Sequence, residues 1–179
     1  MVRGRVQFAE GPPPRTAVAL VHGFKGYADW GFFPWLARAL ALEGHAVATF
    51  DFSRNGAREG ERGVRDLESF ALNTFSRELD ELEMVLERLS SGELTPRPPR
   101  TTGILGFSRG GAMAILAAGG GSRADGLVTW GAIDHLDRWT EETVEEWRRA
   151  GRVHVFDEGT GRHLPLASSL LDDFLLNRE

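Results

Sequence analysis

Thr101-Thr102-Gly103-Ile104-Leu105-Gly106-Phe107-Ser108-Arg109-Gly110-Gly111, followed by Ala112-Met113-Ala114-Ile115-Leu116-Ala117-Ala118, decides the fold of this chain. The first five residues have the short apolar pattern of a buried strand. The last seven have the small-residue composition of a closely packed helix. Between them, Gly106-Phe107-Ser108-Arg109-Gly110 matches G-x-S-x-G. A strand, a sharp turn and a helix are the context in which that motif lifts a serine hydroxyl above the end of a sheet in strained backbone. Glycine fits positions 106 and 110 because a Cβ at either would collide with the neighbouring strand or helix. The bland alternative is a glycine-rich loop with an incidental serine; the strand and helix on either side favour the elbow.

A second motif sits at a matching place. Ala17-Val18-Ala19-Leu20-Val21 is a continuous apolar strand that runs straight into His22-Gly23-Phe24-Lys25-Gly26. An HG-rich loop after an early strand supplies half of an oxyanion hole in acyl-transfer chemistry. Two preorganised N–H groups meet the charge of a tetrahedral intermediate without reorganising, and losing one costs on the order of 3 kcal/mol. The candidate donors are the backbone N–H groups of Phe24 and Arg109. His22 reads as a histidine that shapes this loop, not as a catalytic base.

These segments, with Ala46-Val47-Ala48-Thr49-Phe50-Asp51-Phe52 between them, resemble the α/β-hydrolase family. Similar proteins carry an L-V-H-G-F strand and loop, a helix, a strand ending in a D-F-S-R-N-G-like turn, and then G-F-S-R-G-G. The resemblance covers about residues 15–135 and lies in the order of the motifs. It implies a serine hydrolase with Ser108 as nucleophile and Phe24 and Arg109 as oxyanion donors. It also implies a triad in the chain order Ser, then Asp or Glu, then His.

That order exposes a shortfall. Gly126-Leu127-Val128-Thr129-Trp130-Gly131-Ala132-Ile133 reads as the strand beside the elbow strand, and residues 134–179 read as a polar helical and hairpin insertion of the lid kind. No later V-x-x-x-H-G-x-x-D-like strand follows, and no Gly-His pair stands near the end. The expected architecture is therefore a three-layer α/β/α hydrolase-like fold with a mostly parallel sheet. It is truncated after the strand following the elbow, with a core over residues 1–135 and a lid over residues 136–179. Asp134 is the best local candidate for the acid. For the base, His135 is adjacent to Asp134 and poorly placed for a relay, while His154 and His163 fall in the lid hairpin. A serine without its base is a weak nucleophile, because the hydroxyl must lose its proton as it attacks.

Composition bounds the remaining classes. The 179 residues suit one domain, and 41% hydrophobic content can bury a sizeable core. A net charge of −5 argues against binding nucleic acid or an anionic membrane. Lys25 is the single lysine among 21 basic residues, which reads as genomic composition bias. The absence of cysteine excludes disulfides, thiolate catalysis and Cys-ligated zinc. No metal-ligand spacing rises above background, and no cofactor is implied. No apolar run behind Met1 resembles a secretory leader and none reaches membrane-span length, so the expectation is a cytoplasmic protein.

The remaining elements follow from periodicity. Val2, Val6 and Phe8 alternate with polar residues as in an edge strand. A helix runs from Phe33 or Pro34 to Glu43, with Gly44 as its stop. Residues 66–89 read as one long helix whose face of Arg77, Glu78, Glu81, Glu83 and Glu87 is solvated. Thr140 caps a helix closed by Gly151, residues 153–157 and 162–166 form a hairpin, and residues 168–176 form a last helix. Trp130, Trp139 and Trp147 are candidates to line an acyl pocket. The function expected is hydrolysis of a small-molecule ester or related acyl compound through acyl-Ser108, fully active only with a further C-terminal segment. A non-catalytic hydrolase-fold module that binds a small ligand or a partner chain is the alternative. Self-association, or a companion segment, is expected along the strand around residues 127–130, whose edge groups need partners.

Overall fold

Alternating small and large apolar residues on the central strands let helices pack on both faces of one sheet. The structure, a computed structural model, describes residues 1–177. Its main sheet has five strands: β1 (Arg3–Gln7), β2 (Thr16–Val21), β3 (His45–Asp51), β4 (Thr101–Phe107) and β5 (Gly126–Trp130). They lie in the order β1-β3-β2-β4-β5, with β1 antiparallel to β3 and the other pairs parallel. On one face, Leu20 and Val47 pack with Phe33, Ala37 and Ala41 of helix α1 (Phe33–Leu42). On the other, Ala17, Ala19, Ala46, Ala48 and Ile104 meet α3 (Phe75–Ser91) and α4 (Arg109–Gly119). The alanines on that face keep the helices close to the strands, so α4 starts directly over the end of β4. Three layers result.

The glycines on either side of Ser108 are tightly packed. A Cβ on Gly106 would lie 2.6 Å from Gly111 Cα. One on Gly110 would overlap the carbonyl oxygens of Val21 and His22, and all of these neighbours are backbone that cannot swing aside. Gly110→Ala should therefore destabilise the fold by about 3 kcal/mol through overpacking, read as a lower urea midpoint. An unchanged midpoint would mean that β2 and α4 are not in this contact.

The helix expected over residues 66–89 is two helices. A short α2 (Leu67–Ala71) is capped by the Asp66 carboxylate, which accepts from Ser69 N–H, and α3 begins afresh at Phe75. Thr74 is extended and its hydroxyl accepts from Arg77 N–H, while buried Asn73 donates to Glu78 Oε1 at 2.6 Å. Local side-chain hydrogen bonding thus interrupts a run whose apolar spacing alone looked continuous. The buried stripe of α3 is Phe75, Glu78, Leu82, Val85, Leu86 and Leu89. Glu78 is therefore part of the buried face, contrary to the solvated placement expected for it.

Beyond β5 come α5 (Glu141–Ala150), the antiparallel pair β6 (Arg152–Asp157) and β7 (Arg162–Ala167), and α6 (Ser168–Leu176). Their buried side chains Trp147, Leu164, Leu166, Leu170 and Leu171 join the same apolar cluster as Leu82 and Met113. The last two residues of the 136–179 segment lie outside the described residues. β5 is open: among the described residues it pairs only with β4, and Leu127, Val128 and Trp130 are 40%, 56% and 53% exposed.

Candidate active site

Ser108 stands at the junction of β4 and α4 with φ 53° and ψ −122°. A non-glycine residue in this region costs about 1–3 kcal/mol and persists only where its surroundings impose it. Here those surroundings are the Ser108 N–H bond to Trp130 O (3.0 Å), the Ile133 N–H bond to Ser108 O (3.4 Å) and the glycine contacts above. Gly23 lies alongside, its Cβ position 3.0 Å from Ser108 Cβ and 3.4 Å from Ser108 Oγ. Phe24 and Arg109 therefore flank the serine, and neither backbone N–H is engaged in a hydrogen bond within the described residues. Among the described residues, Lys25 is the other non-glycine with positive φ, at 63°.

The loop that carries Phe24 is held from below. His22 is buried, and burial holds its imidazole well below the usual histidine range despite the Gly23 carbonyl bond and nearby Glu78 and Asp51. A consistent neutral arrangement has Nδ1–H donating to Gly23 O (3.0 Å) and Nε2 accepting from Asn55 Nδ2 (3.3 Å). Asn55 also donates to Gly26 O and to Asp51 Oδ1, and Asp51 Oδ1 accepts from Ala28 N–H at 2.8 Å. Because the folded histidine resists protonation, its contribution to stability is present above about pH 6.5 and is lost as pH falls below it. Asn55 and Asp51 lay unremarked within the D-F-S-R-N-G-like turn; their side-chain roles needed the loop beside them to become visible.

Glu78, expected on a solvated face, is buried. Its carboxylate pairs with the Arg109 guanidinium, with side chains only 3% and 11% exposed. The guanidinium lies 4.5 Å from the Phe24 ring centroid and 5.6 Å from that of Phe75. Arg109, the residue after Ser108, is thus clamped between two rings and a buried acid. Position 78 sits three residues after Phe75 and four before Leu82, so the helical period did mark it as inward-facing.

None of the remaining candidates makes a side-chain hydrogen bond to Ser108 among the described residues. Asp134 and His135 hydrogen-bond to each other at 2.6 Å, with side chains 90% and 61% exposed. Hydrogen bonds from its own backbone and from His135 hold the Asp134 carboxyl below the usual carboxylate range. His154 and His163 are exposed on the hairpin. No histidine among the described residues hydrogen-bonds Ser108 Oγ, and no group of His, Asp or Glu among them has a metal-binding arrangement. Of the three tryptophans, Trp139 alone lines the cavity beside Ser108. Trp147 is fully buried in the core, and Trp130 is exposed on β5 against Phe32. Two larger clefts, of about 890 and 790 Å³, flank β1, but neither is lined by Ser108, Phe24 or Arg109. The cavity of about 210 Å³ that all three residues line is the one with convergent chemistry.

Lys25 ties the hairpin to this loop. Its ammonium meets Asp157 Oδ1 at 3.2 Å and the Phe156 carbonyl at 3.4 Å. Burial pushes the Asp157 carboxyl up, but hydrogen bonds from Thr160 and Lys25 outweigh it and hold the group below its ordinary value. Lys25→Met should loosen the hairpin by about 1 kcal/mol, seen as faster amide exchange at residues 156–160. With its depressed folded value, Asp157 supports the contact above about pH 4 and loses it as pH falls through that value. Unchanged exchange in the variant would remove Lys25 from this role.

No protein-family model matches this chain. It is 27% identical over 157 residues to 2,6-dihydropseudooxynicotine hydrolase of Paenarthrobacter nicotinovorans, covering 86% of this chain and 39% of that protein. It superposes on a candidate hydrolase from Agrobacterium vitis S4 with a TM-score of 0.74 at 17% identity, covering 98% of this chain and 66% of that one. The chain has the α/β-hydrolase fold. The same hydrolase fold is shared with a soluble variant of Saccharomyces cerevisiae monoglyceride lipase in complex with a substrate analog (TM-score 0.65, 18% identity, 98% of this chain and 63% of that chain). It is shared too with ferulic-acid-bound Est1E of Butyrivibrio proteoclasticus (TM-score 0.64, 15% identity, 96% and 65%). The chain thus spans about two fifths of the curated relative and about two thirds of these structures. No helix among the described residues is long and apolar enough to cross a membrane.

Proposed function

We propose that this chain carries the nucleophile and oxyanion hole of a serine hydrolase acting on a small-molecule carboxylic ester or a related acyl compound. The observation that carries the reading is a strained serine flanked by two unengaged backbone amides at the mouth of an apolar cavity. Ser108 Oγ attacks the acyl carbon and passes its proton to a general base. The carbonyl oxygen becomes an oxyanion held by the Phe24 and Arg109 N–H groups. Collapse expels the leaving alcohol, which takes the proton back, and water then cleaves acyl-Ser108 by the same route in reverse. Asp134 is proposed as the acid, since it follows directly on the Ile133 amide that bonds Ser108 O. The base is proposed to arrive along the open β5 edge, from a companion segment or a second copy, because an unpaired edge recruits a strand.

The decisive experiment is fluorophosphonate labelling of the protein as its cell makes it, followed by peptide mapping. Ser108 should carry the label and Ser108→Ala should not. A folded protein whose Ser108 stays unlabelled would overturn the hydrolase reading and favour a non-catalytic module that binds a ligand in the same cavity.

A further inference from the structure

Resting on the reading of Ser108 as nucleophile, we propose that its acyl site is specific for a compact, uncharged or anionic acyl group of about one aromatic ring, and excludes long alkyl and cationic acyl groups. The cavity beside Ser108 measures about 210 Å³. Apolar cavities near 150 Å³ admit benzene, whereas sites for larger ligands run from about 300 Å³ upward. One ring with its carbonyl fits; a long chain does not.

The walls are aromatic and backed by the core. Phe24, Phe75 and Trp139 supply rings, and Ile133, Leu136 and Leu170 add aliphatic surface. Trp139 lies edge-on to buried Trp147 at 5.0 Å and to Phe174 at 5.8 Å, and Phe75 packs against both Trp139 and Phe174. A wall supported in this way cannot retract to admit a longer chain without opening the core. Offset and edge-to-face contacts with such rings favour an aromatic guest by about 0.5–1.5 kcal/mol beyond burial alone.

Charge adds a second filter. The charged residues lining the cavity are Arg109, whose charge Glu78 offsets, and exposed Arg138, which has no ion pair among the described residues. No carboxylate lines it. An ammonium group entering would be desolvated with no carboxylate in the lining to pair with it and with Arg138 opposing it.

Ligand-observed ¹⁹F NMR on the 179-residue chain, with 4-fluorobenzamide as probe, tests this. The probe should bind saturably, benzamide should compete, and decanamide and benzylammonium should not. Leu136→Trp should weaken probe binding at least tenfold by filling the cavity. Arg138→Glu, a surface change that leaves the fold intact, should make benzylammonium at least tenfold more competitive. Equal competition by decanamide, or probe binding indifferent to Leu136→Trp in a folded variant, would overturn the size claim. Indifference of benzylammonium to Arg138→Glu would overturn the charge claim. Ring binding by the chain, with Ser108 inert to fluorophosphonate in the protein as its cell makes it, would instead sink the hydrolase reading and leave the pocket's selectivity standing.

Discussion

Recombinant residues 1–179 by themselves should hydrolyse a short p-nitrophenyl ester feebly, and Ser108→Ala should change that rate by less than about tenfold. The reason is the non-additivity of a catalytic triad. Removing serine or histidine alone costs about as much as removing all members, and what remains is roughly 10³–10⁴-fold over water from binding and the oxyanion hole. No described histidine hydrogen-bonds Ser108 Oγ, so this chain is expected to sit at that floor already. Once a base reaches the serine along the β5 edge, the same substitution should cost on the order of 10⁶-fold in kcat. Stopped-flow or long-time-course assays of both proteins, with and without a base-bearing companion segment, give the comparison. Full activity from residues 1–179, abolished by Ser108→Ala, would show that His135, His154 or His163 swings to the serine. Alanine substitution of each would identify it.

Glu78→Ala should be the most destabilising charge removal in the molecule, at about 3–5 kcal/mol, because it strands the Arg109 guanidinium in the core. For a chain of this size that corresponds to a fall in Tm of roughly 6–20 °C. The paired replacement Glu78→Met with Arg109→Met should recover most of the loss, since an apolar pair of similar volume needs no counter-charge. It would also keep the Arg109 backbone N–H, so stability and the proposed oxyanion hole can be measured apart. A loss under 1 kcal/mol in Glu78→Ala would mean that water reaches the pair and that the clamp on Arg109 is weak.

The sequence by itself determined the order of the strands through β4, the strand-to-helix turn at Ser108 and the HG loop after β2. Those features rest on local causes: apolar runs, glycine where backbones touch, and a motif that works only at a strand-to-helix turn. It also determined the caps at Thr140 and Gly151, which depend on neighbouring residues alone. Glu78 and Asn55 escaped because a carboxylate or an amide in a sequence looks solvated until its partner is in place. Their partners, Arg109 and His22, lie 31 and 33 residues away and on other elements. The break at Asn73 was hidden for the same reason, since the apolar period of α3 runs through it while its side chain bonds elsewhere. Only the tertiary structure decided that Trp139 faces the cavity while Trp147 fills the core, and that Lys25 meets Asp157. Long-range pairing is set by how layers stack, and stacking buries particular polar atoms together that no spacing along the chain can announce.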